Sequence, residues 1–226
     1  MTIDTRMNGI IHAALRRDLD RMALLLEHPD DVSDTRLRAL GAHARWLMDV
    51  LHEHHTGEDE RLFPVMRRNN PGIAGLLDAM EAEHEAIGAA VSVLEDAGAR
   101  AETGADGSAQ ALRDAVAGLR QVLDPHLEHE ERDLSPVVPQ SMTEAEWATF
   151  EKSHTNGKKP PELAFQGHWM VDNLDPAGVA VVSSVIPAVP RFIMMRFMGG
   201  AYRRRREELW GGTASLAVRS RPASTS

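Results

Sequence analysis

Hydrophobic residues recur at alternating spacings of three and four along four long segments of the chain. These segments run from about residues 4 to 27, 33 to 68, 72 to 98 and 109 to 134. Such spacing places the apolar side chains on one face of an α-helix. The connections between the segments are short, which makes neighbouring helices antiparallel. We therefore predict an all-α protein in which residues 1–139 form an up-down-up-down four-helix bundle.

After Pro139 the pattern changes to shorter segments interrupted by proline and glycine. We predict that residues 140–212 form a helical C-terminal extension that packs on the bundle or at an interface. Residues 213–226 are rich in Ser, Ala and Arg. We predict that they form a disordered tail, because such a composition buries too little apolar surface to order the chain.

The most apolar part of the extension is too short to cross a membrane. Residues 179–190 are apolar over only about twelve positions, whereas a spanning helix needs about twenty. We therefore predict no transmembrane segment. The next stretch, residues 192–198, is followed by four consecutive arginines at 203–206. We expect its apolar face to pack on the bundle, with self-association or peripheral membrane contact through residues 163–210 as the alternatives.

Six polar residues interrupt the apolar stripes of the four predicted helices and share their spacing. They are four histidines and two glutamates: His12, His54, Glu58, His84, His126 and Glu130. No Lys or Arg falls in phase with them, and a buried carboxylate is costly unless a positive charge pairs with it. These positions therefore hold either a hydrated polar layer or a bound cation.

The spacing of the six residues favours the cation. A His and a Glu four positions apart lie one helical turn apart and can share a metal. His12 and His54 are 42 residues apart, as are His84 and His126, and a glutamate follows each second histidine at the fourth position. The chain therefore repeats one helical hairpin. Six ligands are too many for one tetrahedral zinc ion, but they suit two metals with bridging carboxylates.

These residues resemble the hemerythrin-like family of histidine–histidine–glutamate (HHE) cation-binding proteins. The resemblance covers roughly residues 7–139 and rests on His12, the run His54-x-x-x-Glu58-x-x-x-Leu62-Phe63-Pro64, the pair Glu83-His84 and the run His126-x-x-x-Glu130. It implies two iron ions that are bridged by an oxo or hydroxo group and by the carboxylates of Glu58 and Glu130. It also implies two histidines per iron and room for O₂ or a related small ligand.

The sequence departs from the oxygen carriers of that family in two places. Their third helix carries a second histidine, whereas Met80 and Gly88 stand one turn before and after His84. They also place the fourth-helix carboxylate one residue further along than Glu130 lies from His126. One imidazole fewer leaves an open coordination position, which favours reaction with O₂, NO or peroxide over reversible O₂ carriage.

Several other polar residues lie near the candidate ligands in the sequence. Glu81 and His84 have the Glu-x-x-His spacing of other diiron bundles, so Glu81 is a candidate for contact with the ligands. His55 neighbours the stripe of the second helix and is a second such candidate, but we expect it to face solvent. The off-stripe residues expected to be largely solvated are His52, Glu53, Asp59, His129 and Glu131.

The amino-acid composition argues against several classes of function. The formal net charge of −9 argues against nucleic-acid binding, which requires a basic face. The absence of cysteine excludes disulfides, thiolate ligands and cysteine nucleophiles, and it fits a reducing compartment, so we expect a cytoplasmic protein. Tyr202 is the only tyrosine and lies outside the predicted bundle, which argues against a tyrosyl-radical enzyme.

The leading hypothesis is a cytoplasmic non-haem diiron protein that binds or reacts with O₂, NO or peroxide under redox or nitrosative stress. Catalase-like peroxide decomposition is its enzymatic form. In either form, apolar residues exclude water from the site and set ligand access: Leu15, Leu51, Met80, Ile87 and Leu123. The alternative is a non-catalytic iron or oxygen sensor that signals through the C-terminal extension. Iron storage is less favoured, because nothing in the sequence suggests a cage.

Overall fold

The structure, a computed structural model, describes residues 3–185 and 188–220, and every regular element in these two ranges is helical. The helices are α1 (Arg6–Leu26), α2 (Asp34–Gly57), α3 (Phe63–Asn69), α4 (Ala74–Thr103), α5 (Ser108–His129), α6 (Val138–Ser141), α7 (Glu144–Ser153), α8 (Pro160–Val171), α9 (Pro176–Ser184), α10 (Ala188–Phe197) and α11 (Gly200–Trp210). The prediction of an all-α fold is confirmed, with long helices α1, α2, α4 and α5 followed by C-terminal helices.

Contacts divide the described chain into two compact units. The first unit contains residues 3–5 and 41–156, and the second contains residues 6–40 and 157–220. Helix α1 thus belongs with the C-terminal helices, and α2 begins in the second unit and continues through the first. This grouping does not follow the order of the chain, and the domain boundaries after residues 139 and 212 stay predictions.

Helices α4 and α5 of the first unit pack extensively against each other. Helix α4 continues to Thr103, beyond its predicted end, and its cap Gly104 adopts φ 70°. Gly107, which precedes α5, adopts φ 71°. Glycine suits both positions because it has no Cβ atom and therefore adopts a left-handed backbone conformation without steric strain. The turn of residues 104–107 reverses the chain, so this pair is antiparallel, as the short connection predicted.

Helices α2 and α4 approach each other closely near Gly41 and Gly98. A Cβ atom built on Gly98 would lie 2.9 Å from the carbonyl oxygen of Gly41. The two backbones are therefore almost in contact at this point.

Two π-helical turns interrupt the long helices of the first unit. One follows α2 at Glu58–Leu62 and the other follows α5 at Glu130–Leu134. In the first turn the N–H of Phe63 donates to the carbonyl of Glu58, five residues earlier, and the second turn has the equivalent bond. Both turns begin at a glutamate that the sequence pattern identifies as a candidate ligand.

An apolar core lies beyond the two π-helical turns, and α6 and α7 help to build it. Its buried members come from α3, α4, α7 and the segments around them: Leu62, Phe63, Met66, Leu77, Met80, Leu134, Val138, Met142, Trp147 and Phe150. The start of the predicted C-terminal extension is thus part of the first unit. This core therefore holds the ends of the two π-helical turns, Leu62 and Leu134, in place after Glu58 and Glu130.

The second unit is held together by buried charges of α1. Arg17 donates to the carbonyl oxygens of Trp169 at 2.9 Å and Asp172 at 2.8 Å. Asp18 accepts the indole N–H of Trp169 at 2.9 Å, and Arg21 donates to the Asp172 carboxylate at 2.7 Å. These bonds connect α1 to the C-terminal helix α8 and to the segment that follows it.

The predicted disordered tail differs from the structure over residues 213–220. A 3₁₀-helix forms at Ala214–Ala217, and the side-chain amide of Asn173 donates to the carbonyl oxygens of Leu216 and Val218, each at 2.9 Å. The N–H of Ser220 donates to the carbonyl of Asn173 at 3.3 Å. Such partners lie far away in the sequence, so composition does not reveal them. The rest of the predicted tail, residues 221–226, lies outside the described residues.

Helix α10 carries apolar side chains that face solvent. The exposed fractions are 63% for Phe192, 47% for Ile193 and 65% for Phe197. The expectation that this apolar face packs within the protein therefore fails for these three residues, and self-association or peripheral membrane contact through residues 163–210 stays a prediction. Two residues of the apolar stretch at 179–190, Ile186 and Pro187, lie outside the described residues. Among the described residues, no helix combines the length and apolar character needed to cross a membrane.

Candidate metal centre

Five of the six candidate ligands lie in the first unit, and the backbone brings them together from three helices. His54 lies in the last turn of α2, four residues before Glu58. His84 lies on α4, and His126 of α5 lies four residues before Glu130. All five are buried, with 8% or less of each residue exposed. The sixth, His12, is fully buried on α1 and belongs to the second unit.

Each carboxylate of this cluster faces imidazole nitrogens. Glu58 lies 3.5 Å from Nε2 of His54 and 3.7 Å from Nε2 of His84. Glu130 lies 3.9 Å from Nε2 of His126, and His54 and Glu130 offer ligand atoms within 4.8 Å of each other. These separations are too long for good hydrogen bonds. They lie within the span of two ligands that bind one cation at about 2.1 Å each.

Two acidic residues orient the histidines of α4 and α5. Nδ1 of His84 lies 2.8 Å from a carboxylate oxygen of Asp59. Nδ1 of His126 lies 2.8 Å from Glu83, and Nδ1 of His129 lies 2.8 Å from the other oxygen of Glu83. An Nδ1–H that donates to a carboxylate leaves the lone pair on Nε2. In His84 and His126, Nε2 is the atom directed at the glutamates.

The expectation that Asp59 and His129 are largely solvated is therefore wrong. Their side chains are 37% and 24% exposed and both take part in these hydrogen bonds. Asp59 follows Glu58 directly, and the π-helical turn carries its carboxylate towards α4. Glu83 precedes His84 in sequence, but its carboxylate accepts a hydrogen bond from His126 of α5. Sequence adjacency to a ligand was the signal for both residues, and Glu83 also belongs to the Glu83-His84 pair of the family resemblance.

Protonation of the site follows from burial and these hydrogen bonds. Burial lowers the pKa of His126, although the bond to Glu83 acts in the opposite direction. Burial raises the pKa of Glu83, but the bonds from His126 and His129 outweigh this effect and the pKa is lowered. At neutral pH the carboxylate is therefore charged and His126 is neutral, which is the form that binds a metal.

His55 is buried, in contrast to the expectation that it faces solvent. The residue is 8% exposed, and its ring stacks on that of His84 with centroids 4.0 Å apart and planes at 10°. Its ring also meets His126 edge-on at 5.2 Å. One nitrogen from each of His55, His84 and His126 lies within 4.8 Å of the others. The close approach of α4 to α2 covers this flank of α2, which the periodicity of one helix does not reveal.

Glu81 is a partner in a surface ion pair. Its carboxylate accepts bonds from Arg67 at 3.1 Å, and 45% of its side chain is exposed. This ion pair directs the carboxylate towards Arg67. His52 and Glu53 are exposed, as expected from their positions off the stripe.

A pocket of about 600 Å³ opens between α2 and α4 and reaches His55 and His84. Its lining carries no Lys or Arg, and five carboxylates line it: Asp49, Asp59, Glu81, Glu85 and Glu95. The apolar residues Leu51, Ile87 and Val91 complete its inner wall. The pocket therefore gives small molecules a negatively charged route to two imidazoles.

The donor set fits bound metal ions. Nε2 of His84 and Nε2 of His126 are buried and make no hydrogen bond within the described residues. Buried polar atoms normally have a partner, and a metal ion supplies one to an imidazole lone pair. Two buried carboxylates, Glu58 and Glu130, face the histidines, and a bound cation would balance their charge. Imidazole and carboxylate together suit iron, zinc or manganese, and the arrangement by itself does not choose among them.

Comparison with known protein families agrees with this geometry. The model of the family described as the hemerythrin HHE cation binding domain matches residues 11–138, which is more than half of the chain. Comparisons with curated proteins and with solved structures give no match. The matched range contains all six candidate ligands. The chain therefore belongs to the hemerythrin HHE cation-binding domain family.

Proposed function

We propose that the chain is a non-haem diiron protein that binds or reacts with O₂, NO or peroxide. The observation that supports this best is the convergence of buried imidazoles and two buried carboxylates in the first unit. The proposed ligands are His12, His54, Glu58, His84, His126 and Glu130. His12 is included because of its phase with the apolar stripe, the 42-residue repeat and the family resemblance.

In this proposal the protein contributes orientation, charge and exclusion of water. The bonds of Asp59 and Glu83 fix the tautomers of His84 and His126 before any ion binds. Glu58 and Glu130 supply negative charge and act as bridging ligands. Leu51, Met80, Ile87 and Leu123 are fully or almost fully buried and keep bulk water out. When bound, the iron pair supplies the redox chemistry and the binding position for a small ligand.

The acidic pocket favours neutral ligands over anions. Glu81 is paired with Arg67, but the other four carboxylates, with no basic residue in the lining, create a negative potential at the entrance. O₂, NO and hydrogen peroxide are uncharged at neutral pH and do not meet this barrier. Nitrite and superoxide are anions and do meet it. The pocket therefore supports the proposed class of ligand.

Metal analysis tests the proposal directly. Protein purified from iron-replete cells should contain about two irons per chain and absorb in the near ultraviolet, as oxo-bridged ferric pairs do. His54→Ala should lower the iron content, whereas His52→Ala, which changes an exposed histidine of the same helix, should not. Well under one metal per chain in the wild type, with no change in His54→Ala, contradicts the proposal.

Peroxide decomposition is the enzymatic form of this function. Dismutation of hydrogen peroxide to water and O₂ needs no outside reductant, because one peroxide molecule oxidises another. Rapid peroxide consumption by the iron-loaded protein, abolished by Glu58→Ala, would support an enzyme. Iron-loaded protein that consumes no peroxide would exclude this form of the proposal.

A non-catalytic sensor is the second candidate, and one observation favours it. His12 lies on α1, and α1 is bonded to the C-terminal segment through Arg17, Asp18 and Arg21. A ligand on this helix would let iron binding alter the stability of the extension. The sensor predicts that iron changes protease sensitivity after residue 140 without turnover. Equal cleavage of the iron-loaded and iron-free proteins would argue against it.

A further inference from the structure

Helix α10 of the second unit carries apolar side chains on two opposite sides. On one side Met194 and Met195 are half-buried. The carbonyl oxygen of Met194 accepts a hydrogen bond from Nε2 of His168, on α8, at 3.2 Å. This side of α10 therefore faces the rest of the second unit.

The outward face of α10 consists of Phe192, Ile193, Arg196 and Phe197. These residues follow one another at i, i+1, i+4 and i+5, which places them on one side of a helix. All four are exposed, and the rings of Phe192 and Phe197 meet edge-on with centroids 6.0 Å apart. A helix that is apolar on all sides is normally enclosed, so we expect a partner to cover this face.

The charge around the outward face is entirely positive. Residues 188–206 contain six arginines and no acidic residue, although the whole chain has a net charge of −9. On the face itself, the guanidinium group of Arg196 lies over the ring of Phe197, 5.4 Å from its centroid. The partner should therefore offer negative charge as well as apolar surface.

Three of the six arginines are directed into the second unit and three are exposed. The first three donate to carbonyl or carboxylate groups of that unit: Arg191, Arg205 and Arg206. The exposed ones are Arg196, Arg203 and Arg204. A Cβ atom built on Gly199 would lie 2.7 Å from Nη1 of Arg203, so this guanidinium group lies beside the end of α10. Exposed positive charge thus adjoins the exposed rings.

We propose that the outward face of α10 binds a membrane surface that contains anionic lipids. Phe192, Ile193 and Phe197 enter the boundary between headgroups and acyl chains, and the exposed arginines contact lipid phosphates. Segments with aromatic and basic residues bind membrane interfaces through apolar burial and attraction to anionic lipids together. At ten residues α10 is too short to cross a bilayer, so the contact is peripheral.

Charge favours lipid over a second copy of the chain. A two-fold interface brings the same patch of both copies together, so Arg196 would approach the Arg196 of the other copy. Like charges that face each other across an interface oppose association. An anionic membrane supplies negative headgroups and apolar chains at the same surface, and it therefore suits both components of the face.

Co-sedimentation with lipid vesicles tests this proposal on the full chain. One set of vesicles contains phosphatidylcholine alone, and the other contains equal parts of phosphatidylcholine and phosphatidylserine. We expect binding to the mixed vesicles to be stronger by at least about tenfold. Added salt should reduce the difference, because it screens the attraction between arginines and headgroups.

The apolar part of the face is tested by Phe192→Ser combined with Phe197→Ser. This double variant should bind the mixed vesicles at least about tenfold more weakly, because two rings no longer enter the lipid. The matched control is Val93→Ser combined with Val122→Ser, which changes two exposed apolar residues of α4 and α5. The control should bind as the wild type does.

The basic part is tested by Arg196→Gln, which should weaken binding to the mixed vesicles by about fivefold. Its control is Arg100→Gln, which removes one positive charge from an exposed position of α4 and should leave binding unchanged. Circular dichroism checks that each variant keeps its helices.

Three results would overturn the proposal. The first is a wild-type chain that binds neither kind of vesicle; if size-exclusion chromatography then shows a dimer that the phenylalanine double variant dissociates, the face joins two copies. The second is unchanged vesicle binding in that double variant, because another surface would then be responsible. The third is equal binding to both kinds of vesicle, which would exclude recognition of anionic lipid. None of these measurements depends on the metal centre.

Discussion

At the scale of single residues, Glu83 is the side chain whose role the sequence pattern conceals most. It lies off the apolar stripe of α4 and is partly exposed, yet its two oxygens accept bonds from His126 and His129, each at 2.8 Å. It therefore determines which nitrogen of His126 is available to a metal. Carboxylates that orient metal-binding histidines commonly affect affinity almost as strongly as the ligands do.

Glu83→Gln should weaken metal binding by about 10-fold to 100-fold. The amide removes the negative charge and can accept only through one oxygen, so His126 loses part of its fixed orientation. Competition with a chelator measures the loss, and circular dichroism checks that the helices remain. The control is Asp96→Asn, which changes an exposed carboxylate of the same helix that does not line the pocket. Equal affinities in the two variants would contradict an orienting role for Glu83.

At the scale of helices, Glu58 and Glu130 have the same local structure. Each is the first residue of a π-helical turn and lies four residues after a candidate histidine ligand. Pro64 and Pro136 stand at equivalent places just after the two turns. A proline has no N–H and its ring crowds the carbonyl four residues earlier, so it disturbs the hydrogen bonding of a regular α-helix. The π-helical turns relieve this conflict, and such turns are frequent at functional sites.

The crossing of α2 and α4 determines how close His55 comes to His84. Gly41→Ala should lower the free energy of unfolding by about 1–3 kcal/mol, because its new Cβ would clash with the backbone carbonyl of Gly98. Gly118→Ala is the matched control, since a Cβ at this exposed position of α5 meets nothing within 4 Å. It should stabilise the protein by about 0.5–1 kcal/mol.

Urea denaturation followed by circular dichroism measures both glycine variants. If Gly41→Ala were as stable as the wild type, the close approach of the two backbones would be wrong. The altered crossing should also reduce iron affinity in Gly41→Ala but leave it unchanged in Gly118→Ala.

At the scale of the whole molecule, the second unit shows how distant parts of the chain depend on each other. The Asp172 carboxylate accepts bonds from Arg21 at 2.7 Å, Tyr202 at 2.9 Å and Arg206 at 2.8 Å. Arg21 is fully buried, and the side chain of Asp172 is only 9% exposed. The arrangement joins α1 to α11 through a single carboxylate.

Asp172→Ala should lower the free energy of unfolding by about 3–5 kcal/mol, because it removes the carboxylate that binds buried Arg21 most closely and leaves only Asp18, at 3.3 Å, to balance its charge. Asp30→Ala, at an exposed position of the same unit, should change it by less than about 0.5 kcal/mol. Thermal and urea denaturation provide the measurement. A small effect of Asp172→Ala would mean that other groups or water neutralise Arg21.

The sequence by itself was sufficient to predict the all-α class, the long helices and the resemblance that the family comparison confirms. These features depend on local periodicity and on spacing along one helix, which the residues carry themselves. The same periodicity identified His54, Glu58, His84, His126 and Glu130 as a set, and the structure places all five in the first unit. Their role as ligands stays a prediction.

Only the tertiary structure decided which flanks of those helices are covered. His55 and Asp59 lie off the stripe of α2, so their contacts with α4 depend on how closely α4 approaches. Glu83 reaches a histidine 43 residues away, and Asn173 orders carbonyls 43 and 45 residues away. Periodicity describes one helix at a time, whereas burial and hydrogen bonding depend on the neighbours that the folded chain brings together.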